Sequence, residues 1–123
     1  MEKLKKILLV DDEDICIKIF RLFLKTTYEL TCCETPKKAI LLANENIYDI
    51  FILDIYLRDN IDGKKLMKIL KEDKKNKYKI FIATTSYSTG WDRYKYLEFG
   101  FDEFLLKPFD KNNLLGTLKN ITS

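Results

Sequence analysis

Five short apolar runs alternate along the chain with longer segments of helical periodicity, and this alternation limits the possible folds more than any other feature. Runs of this length, rich in Ile, Leu and Phe, are typical of buried strands. A strand–helix unit repeated five times predicts a parallel sheet with helices on both faces and right-handed crossovers. The predicted strands are residues 6–10, 30–33, 50–54, 80–83 and 103–106.

The length and composition indicate one ordinary globular domain. The chain has 123 residues, 46% of them hydrophobic and 33% charged, with a net charge of +3. That charge is too small to argue for nucleic acid or membrane as a partner. The apolar run that ends at Val10 is cut short by Asp11, so it predicts neither a signal peptide nor a spanning helix. Histidine is absent, which excludes Ser-His and Cys-His chemistry and histidine metal sites, and three cysteines favour a reducing cytoplasm over a disulfide scaffold.

Start and stop signals mark the predicted helices. Thr35 and Pro36 are typical of a helix cap and first turn, and Gly63 opens the third helix. Gly100 suits the end of the fourth helix, and Asp110 can cap the last one. The predicted helices span about residues 14–25, 36–44, 63 onward, 91–99 and 110 onward. In the first helix we predict a core-facing stripe of Ile15, Ile19, Leu22 and Phe23, with Cys16 and Phe20 beside it.

The functional signal lies in the polar residues that follow the strands. Because the carboxyl ends of parallel strands share one edge of a sheet, these residues should meet there. Three of these residues are aspartates, whose carboxylates repel one another unless a cation is present. Such oxygen-rich sites suit Mg²⁺. A lysine and a hydroxyl beside them would hold a phosphoryl group, and an Asp oxygen can act as the nucleophile that forms an acyl phosphate. We expect Asp54 to lie at a polar rim and not in the core. The residues concerned are Asp11, Asp12, Asp54, Thr84 and Lys107.

Four segments together make the chain resemble the response-regulator receiver domains of two-component signalling over essentially its whole length. They are residues 7–13, 49–54, 80–84 and 100–108. The resemblance implies a flavodoxin-like (βα)5 three-layer sandwich with strand order 2-1-3-4-5. It also implies that Asp54 is the phospho-acceptor and that the peptide bond between Lys107 and Pro108 is cis.

The resemblance also implies roles for the residues around Asp54. Mg²⁺ would be held by Asp11, Asp12, Asp54 and the backbone carbonyl of Tyr56. Thr84 and Lys107 would bind the phosphoryl oxygens, and Thr84 and Phe104 would be the switch residues. Tyr56 and Ser86 flank the path of a hydrolytic water, and we predict that Tyr56 covers the phosphoryl group and slows its loss.

The sequence departs from the family pattern around this site. A proline is usual four residues after the acceptor, where this chain has Arg58. A glycine is usual eight residues after the acceptor, whereas Gly63 comes nine residues after Asp54. Phe101 occupies a position where a small residue is usual, and the stretch from Thr84 to Gly100 is one residue longer than expected.

By this resemblance the chain is a single receiver domain over residues 1–123, with no output domain. A sensor histidine kinase or phosphotransfer protein would phosphorylate it, and the domain would assist its own phosphorylation and dephosphorylation without being a classical enzyme. Its activated form would bind a downstream protein through the face made by helix 4, strand 5 and helix 5. We predict a cytoplasmic protein without membrane or direct nucleic-acid contact; a homodimer is left open.

The sequence disfavours two alternative functions. A phosphorylation-independent docking module is disfavoured because all five site residues are present. A flavodoxin-like cofactor binder is disfavoured because the first loop carries four acids where a phosphate cradle needs Gly, Ser and Thr.

The remaining features are a basic tract, predicted to be a solvated face, and three aromatic residues of helix 4, of which at least one is predicted to be exposed. The tract comprises Lys64, Lys65, Lys68, Lys71, Lys74, Lys75, Lys77 and Lys79, and the aromatic residues are Trp91, Tyr94 and Tyr96.

Overall fold

The computed structural model describes residues 3–57, 61–86 and 93–122. Its strands are β1 (Lys6–Val10), β2 (Glu29–Cys33), β3 (Ile50–Asp54), β4 (Ile80–Thr85) and β5 (Glu103–Leu106). Its helices are α1 (Asp14–Leu24), α2 (Pro36–Glu45), α3 (Gly63–Glu72), α4 (Arg93–Phe99) and α5 (Lys111–Thr122). The five strands form one parallel sheet in the order β2-β1-β3-β4-β5, which confirms the predicted topology.

The predicted helix caps are present. The Thr35 hydroxyl accepts a hydrogen bond from the backbone N–H of Lys38 at 3.1 Å. The Asp110 carboxylate accepts one from the N–H of Asn113 at 2.7 Å. Gly100 ends α4 with φ of 132°, a conformation that favours glycine. These local signals therefore place the helix ends within one or two residues of their predicted positions.

Alternate residues of each strand feed two hydrophobic cores, one on each face of the sheet. Leu8, Phe51 and Phe81 pack against the helices α2 and α3. Their neighbours Ile7 and Ile50 pack on the opposite face against α1 and α5. Because successive side chains of a strand point to opposite faces, continuous apolar strands require helices on both sides.

The prediction for the buried face of α1 is wrong for Ile15 and Leu22, whereas Phe23 of the same predicted stripe packs against the core. Ile15 and Leu22 are 63% and 60% exposed, whereas Phe20 and Leu24 are completely buried beneath them. Both pairs have spacings that place their members on one helix face, so the helix carries two apolar stripes. The packing against β1 and β3 buries the stripe that contains Phe20 and Leu24.

The basic tract is only partly a solvated face. The ammonium group of Lys71 donates to the backbone carbonyl of Gly100 at 2.9 Å, and Lys68 lies 4.5 Å from the ring centroid of Phe99. Lys75 donates to the carbonyl of Asn44 at 3.2 Å. These lysines therefore attach α3 to the end of α4, and the segment after α3 to α2, which sequence spacing does not reveal.

The aromatic residues of α4 divide as predicted. Tyr96 is buried and Tyr94 is 71% exposed. Trp91 and Arg58, which also entered the sequence predictions, lie outside the described residues. Within the described parts of the chain, no helix combines the length and apolar character needed to cross a membrane.

Candidate functional site

The carboxyl end of the sheet brings together the polar residues that the sequence singles out. β1 ends at Val10, so Asp11 and Asp12 follow it directly, and Asp54 is the last residue of β3. Asp54 lies opposite Thr84 in the ladder between β3 and β4. The strand order therefore places the first and third strand ends side by side, as a topological switch point requires.

Lys107 is the cation of the site. Its ammonium group donates to Oδ2 of Asp11 at 2.7 Å and to Oδ2 of Asp54 at 3.0 Å. It also lies 3.6 Å from a carboxylate oxygen of Glu13. The backbone N–H of Lys107 donates to the carbonyl of Thr85, which anchors the residue to β4. The bond between Lys107 and Pro108 is cis, as the resemblance implies.

Asp54 is buried, so the expectation of a polar rim is wrong. Its side chain is 5% exposed and accepts two hydrogen bonds, one from Lys107 and one at 3.0 Å from the backbone N–H of Tyr56. Burial raises the pKa of the Asp54 carboxyl to about 6, against the opposing charge of Lys107, and the charge of Asp11 adds to the rise. The site thus holds its central carboxylate in an environment that disfavours the charged form.

The site favours the charged form of Lys107, in contrast to that of Asp54. Burial by itself would lower the pKa of Lys107, but the hydrogen bond to Asp11 and the charges of Asp54 and Asp11 outweigh it and raise that pKa. Lys107 therefore stays charged at neutral pH. A permanent positive charge beside two carboxylates is suited to hold an additional anionic group in the site.

Thr84 contributes a hydroxyl whose hydrogen-bonding capacity is unused. The residue is completely buried, and its Oγ1 finds no hydrogen-bond partner among the described residues. Leaving a buried hydroxyl unpaired costs roughly 1 to 3 kcal/mol. Such a cost is commonly found where a ligand or a conformational change supplies the partner.

Four carboxylates in this cluster are close enough to share a metal ion. Ligand oxygens of the four residues all lie within 4.8 Å of one another. Among the described residues, Lys107 forms ion pairs with three of these carboxylates. All four donors are hard oxygens, which suit Mg²⁺ or a similar divalent cation better than a soft metal. The four residues are Asp11, Asp12, Glu13 and Asp54.

Two residues of the site were not among the predicted site residues. Glu13 joins the acid cluster, and its place directly after the paired aspartates was the only sequence signal. Gly63 packs against the backbone of Asp54: a Cβ added there would lie 2.3 Å from the Asp54 carbonyl oxygen. Its N–H also donates to the carbonyl of Ile55 at 3.0 Å. Gly63 therefore sets the path of the chain beside the buried carboxylate.

The two residues predicted to control water access lie at the rim of the site. Tyr56 is 46% exposed and contacts Asp54 through its backbone N–H. Ser86 is exposed and lines a cavity of about 230 Å³ together with Glu13, Cys16 and Lys107. The two residues thus belong to the surroundings of Asp54 and Lys107.

Phe104, the predicted switch aromatic, lies in β5 and packs against α4. Its ring stacks on that of the buried Tyr96, with centroids 4.8 Å apart and planes 8° from parallel. Glu103 is held by a bidentate pair with Arg93 at 2.6 and 2.9 Å. The contact between α4 and β5 therefore combines an aromatic stack with an ion pair.

Comparison with known proteins decides the family. The family model described as the response regulator receiver domain matches residues 7–119. The chain belongs to this family. The receiver domain is 30% identical over 115 residues to the response regulator ArlR of Staphylococcus saprophyticus, in an alignment that covers 93% of this chain and 50% of ArlR.

A second relative has nearly the same length as this receiver domain. The polar-differentiation response regulator DivK of Brucella ovis is 26% identical over 117 residues, which make up 94% of each protein. Among solved structures, the chemotaxis protein CheY4 of Vibrio cholerae has a TM-score of 0.87 over 97% of this chain and 99% of that chain. At 22% identity, this last similarity shows the fold alone. The chain spans about half the length of ArlR but almost all of DivK.

Proposed function

We propose that this receiver domain is a phosphorylation switch in which Asp54 accepts a phosphoryl group from a histidine kinase or a phosphotransfer protein. The observation that carries the proposal is the buried Asp54 carboxylate, linked through Lys107 to Asp11 and lying opposite an unpaired Thr84 hydroxyl. A nucleophile, a fixed cation and a free hydrogen-bond donor are the groups that phosphoryl transfer to a carboxylate requires.

The chemistry follows from this arrangement. A carboxylate oxygen of Asp54 attacks the phosphorus, and the bond from phosphorus to the donor nitrogen breaks. Lys107 stabilises the added negative charge, and the Thr84 hydroxyl donates to a phosphoryl oxygen. Asp11, Asp12, Asp54 and the backbone carbonyl of Tyr56 would hold Mg²⁺, which offsets phosphoryl charge when bound. The resulting acyl phosphate is the product, so the domain is a substrate that assists its own modification and no classical enzyme.

Thr84 and Phe104 are the proposed switch residues. A phosphoryl group on Asp54 gives the unpaired Thr84 hydroxyl its missing partner, which favours the conformation in which the two groups meet. The space that Thr84 leaves is available to Phe104, whose stack on Tyr96 would change. The equilibrium between two packings of α4 and β5 would thereby report the state of Asp54.

The downstream partner would bind the face made by α4, β5 and α5. Tyr94 of α4 and Leu106 of β5 are exposed on this face, and exposed aromatic and apolar residues favour interfaces. We further propose that residues 1–123 act as one receiver domain in the cytoplasm, where the free cysteines Cys16, Cys32 and Cys33 remain reduced.

The test is intact-mass measurement after incubation with Mg²⁺ and a small-molecule phosphodonor. We expect the parent protein to gain one phosphoryl group and the Asp54→Asn variant to gain none. Asp73→Asn is the matched control, because this exposed residue follows α3 and lies outside the acid cluster. A parent protein that stays unmodified would favour a docking module, and equal labelling of the Asp54 variant would end the assignment.

A further inference from the structure

An open groove of about 980 Å³ lies at the amino ends of the strands, at the opposite edge of the sheet from Asp54. It runs between the last turns of α1 and the beginnings of β1 and β2, and we call it the basal groove. Its rim carries cations and exposed leucines: Lys3, Lys6, Arg21, Lys25, Leu4 and Leu22. No step of the proposed phosphoryl transfer uses these residues.

The basal groove is strongly positive. Four cations line it, against the single carboxylate of Glu29. No described carboxylate lies within ion-pair distance of the ammonium groups of Lys3, Lys6 or Lys25. Four cations with one carboxylate among them leave a net positive charge, which raises the local potential and attracts an anionic partner. The charge of the groove therefore specifies acidic groups in whatever fills it.

The groove is also apolar, which a site for a simple anion would not need. Leu22 is 60% exposed on α1, and Leu4 is 49% exposed on the segment that precedes β1. Tyr28, which is 9% exposed, belongs to the same lining and lies in the core cluster that includes Leu114 and Leu118 of α5. The exposed leucines flank a floor that α5 supports, so apolar side chains of a partner can be buried there.

A strand edge borders the groove. β2 is the outermost strand of the sheet, and its first residues, Glu29 and Leu30, line the groove. Among the described residues β2 pairs only with β1, so its outer backbone N–H and C=O groups face away from the sheet. Backbone groups of this kind are satisfied by an added strand, which a polypeptide provides and a lipid surface does not.

We propose that the basal groove binds an acidic, extended polypeptide segment in which apolar residues alternate with Asp or Glu. The backbone of the segment would pair with the outer edge of β2. The apolar side chains of the segment would contact Leu4 and Leu22, and its carboxylates would lie beside the lysines of the rim. Binding here is independent of Asp54, which lies at the other edge of the sheet.

The test uses a blocked synthetic peptide of roughly eight residues in which Val alternates with Glu. Fluorescence anisotropy measures its affinity, and backbone amide chemical shifts locate its site. We expect shifts at Glu29 and Leu30, and about tenfold weaker binding to the double variant Lys3→Glu with Lys25→Glu. Lys111→Glu with Lys119→Glu is the matched control, because it changes the net charge equally at exposed residues of α5.

The apolar part of the proposal has its own pair of variants. Leu22→Ser should weaken binding about fivefold, whereas Leu41→Ser, at a similarly exposed leucine of α2, should leave it unchanged. Asp54→Asn should bind the peptide as the parent does, so that the groove and the phosphorylation switch are tested separately.

Three results would overturn the proposal. The first is a peptide with Lys in place of Glu that binds as tightly as the acidic peptide. The second is a loss of affinity in the matched control variants that equals the loss in the groove variants. The third is amide shifts at the groove with phosphatidylserine vesicles but none with the peptide, which would assign the groove to a membrane surface.

Discussion

Asp54 combines two properties that oppose each other. Its position beneath the surface disfavours a charge, while its proposed task requires a carboxylate. Lys107 resolves the conflict in part, because its ammonium group is hydrogen-bonded to Asp54 and Asp11 and stays charged. A phosphoryl group or a cation that enters the cluster changes the charge around Asp54, so the protonation of Asp54 depends on what binds there.

Asp54 should lower the stability of the metal-free protein as the pH rises. The pKa of its carboxyl is about 6 in the folded protein, above the ordinary value of 3.8, so the folded state binds more protons between about pH 4 and pH 6. The free energy of unfolding therefore falls through this window. Asp54→Asn lacks this loss and should be more stable than the parent by roughly 1 to 3 kcal/mol at pH 7, with a smaller difference at pH 4.

Urea unfolding in the presence of EDTA, at pH values from 4 to 7, measures the difference. A difference between Asp54→Asn and the parent that stays constant over this range would contradict the burial-driven pKa of Asp54.

Tyr56 is predicted to govern how long the phosphoryl group remains. Hydrolysis of an acyl phosphate needs a water aligned opposite the Asp54 oxygen, and Tyr56 and Ser86 border that approach. Neither side chain is a carboxylate or an amide that would orient a water well. We therefore expect slow loss from the parent and loss at least about tenfold faster from Tyr56→Asn with Ser86→Glu.

The decay of phosphorylated protein after removal of the donor gives this rate. Tyr78→Asn is the control for loss of an exposed tyrosine far from the site, and it should decay as the parent does. A double variant with the parent's lifetime would show that Tyr56 does not gate the water.

The connection from β3 to α3 determines where Asp54 can lie. Gly63 begins α3 directly against the Asp54 carbonyl, where a Cβ would lie 2.3 Å away. Gly63→Ala should therefore push the chain away from β3, slow phosphorylation, and lower the free energy of unfolding by about 1 to 3 kcal/mol. Gly116→Ala in α5 is the matched control, since its added Cβ meets no atom within 4 Å.

The Gly116 variant should be as stable as the parent or about 0.5 to 1 kcal/mol more stable, because alanine favours a helix over glycine. Rates of phosphorylation and urea unfolding of both variants provide the comparison. Parent-like rates in Gly63→Ala would mean that the loop accommodates the methyl group without moving Asp54.

Strands could be predicted from the sequence more securely than helix faces. Each strand is a short apolar run bounded by polar residues, so its position and the edge on which Asp11 and Asp54 meet follow from the pattern, although β4 runs two residues beyond its predicted end. The buried face of α1 does not follow, because Ile15 with Leu22 and Phe20 with Leu24 are both apolar stripes. The depth of Asp54 and its contact with Gly63 also escape prediction, since sequence spacing does not show how closely the start of α3 approaches the end of β3.

The whole molecule separates its charges between the two edges of one sheet. Asp11, Asp12, Glu13 and Asp54 gather at the carboxyl ends of the strands, and the lysines of the basal groove gather at the amino ends. The net charge of +3 conceals this separation, because the opposite groups nearly cancel in the sum. The molecule therefore presents one edge suited to a cation and a phosphoryl group, and another suited to acidic partners.

The most direct measurement of the central claim identifies the carboxylate that carries the phosphoryl group. The protein is treated with a small-molecule phosphodonor and Mg²⁺, the acyl phosphate is reduced with borohydride to homoserine, and the peptides are sequenced by mass spectrometry. We predict homoserine at position 54 and unmodified aspartate at positions 11 and 12. Homoserine at Asp11 or Asp12, or at no aspartate of a protein that stays folded, would contradict the account.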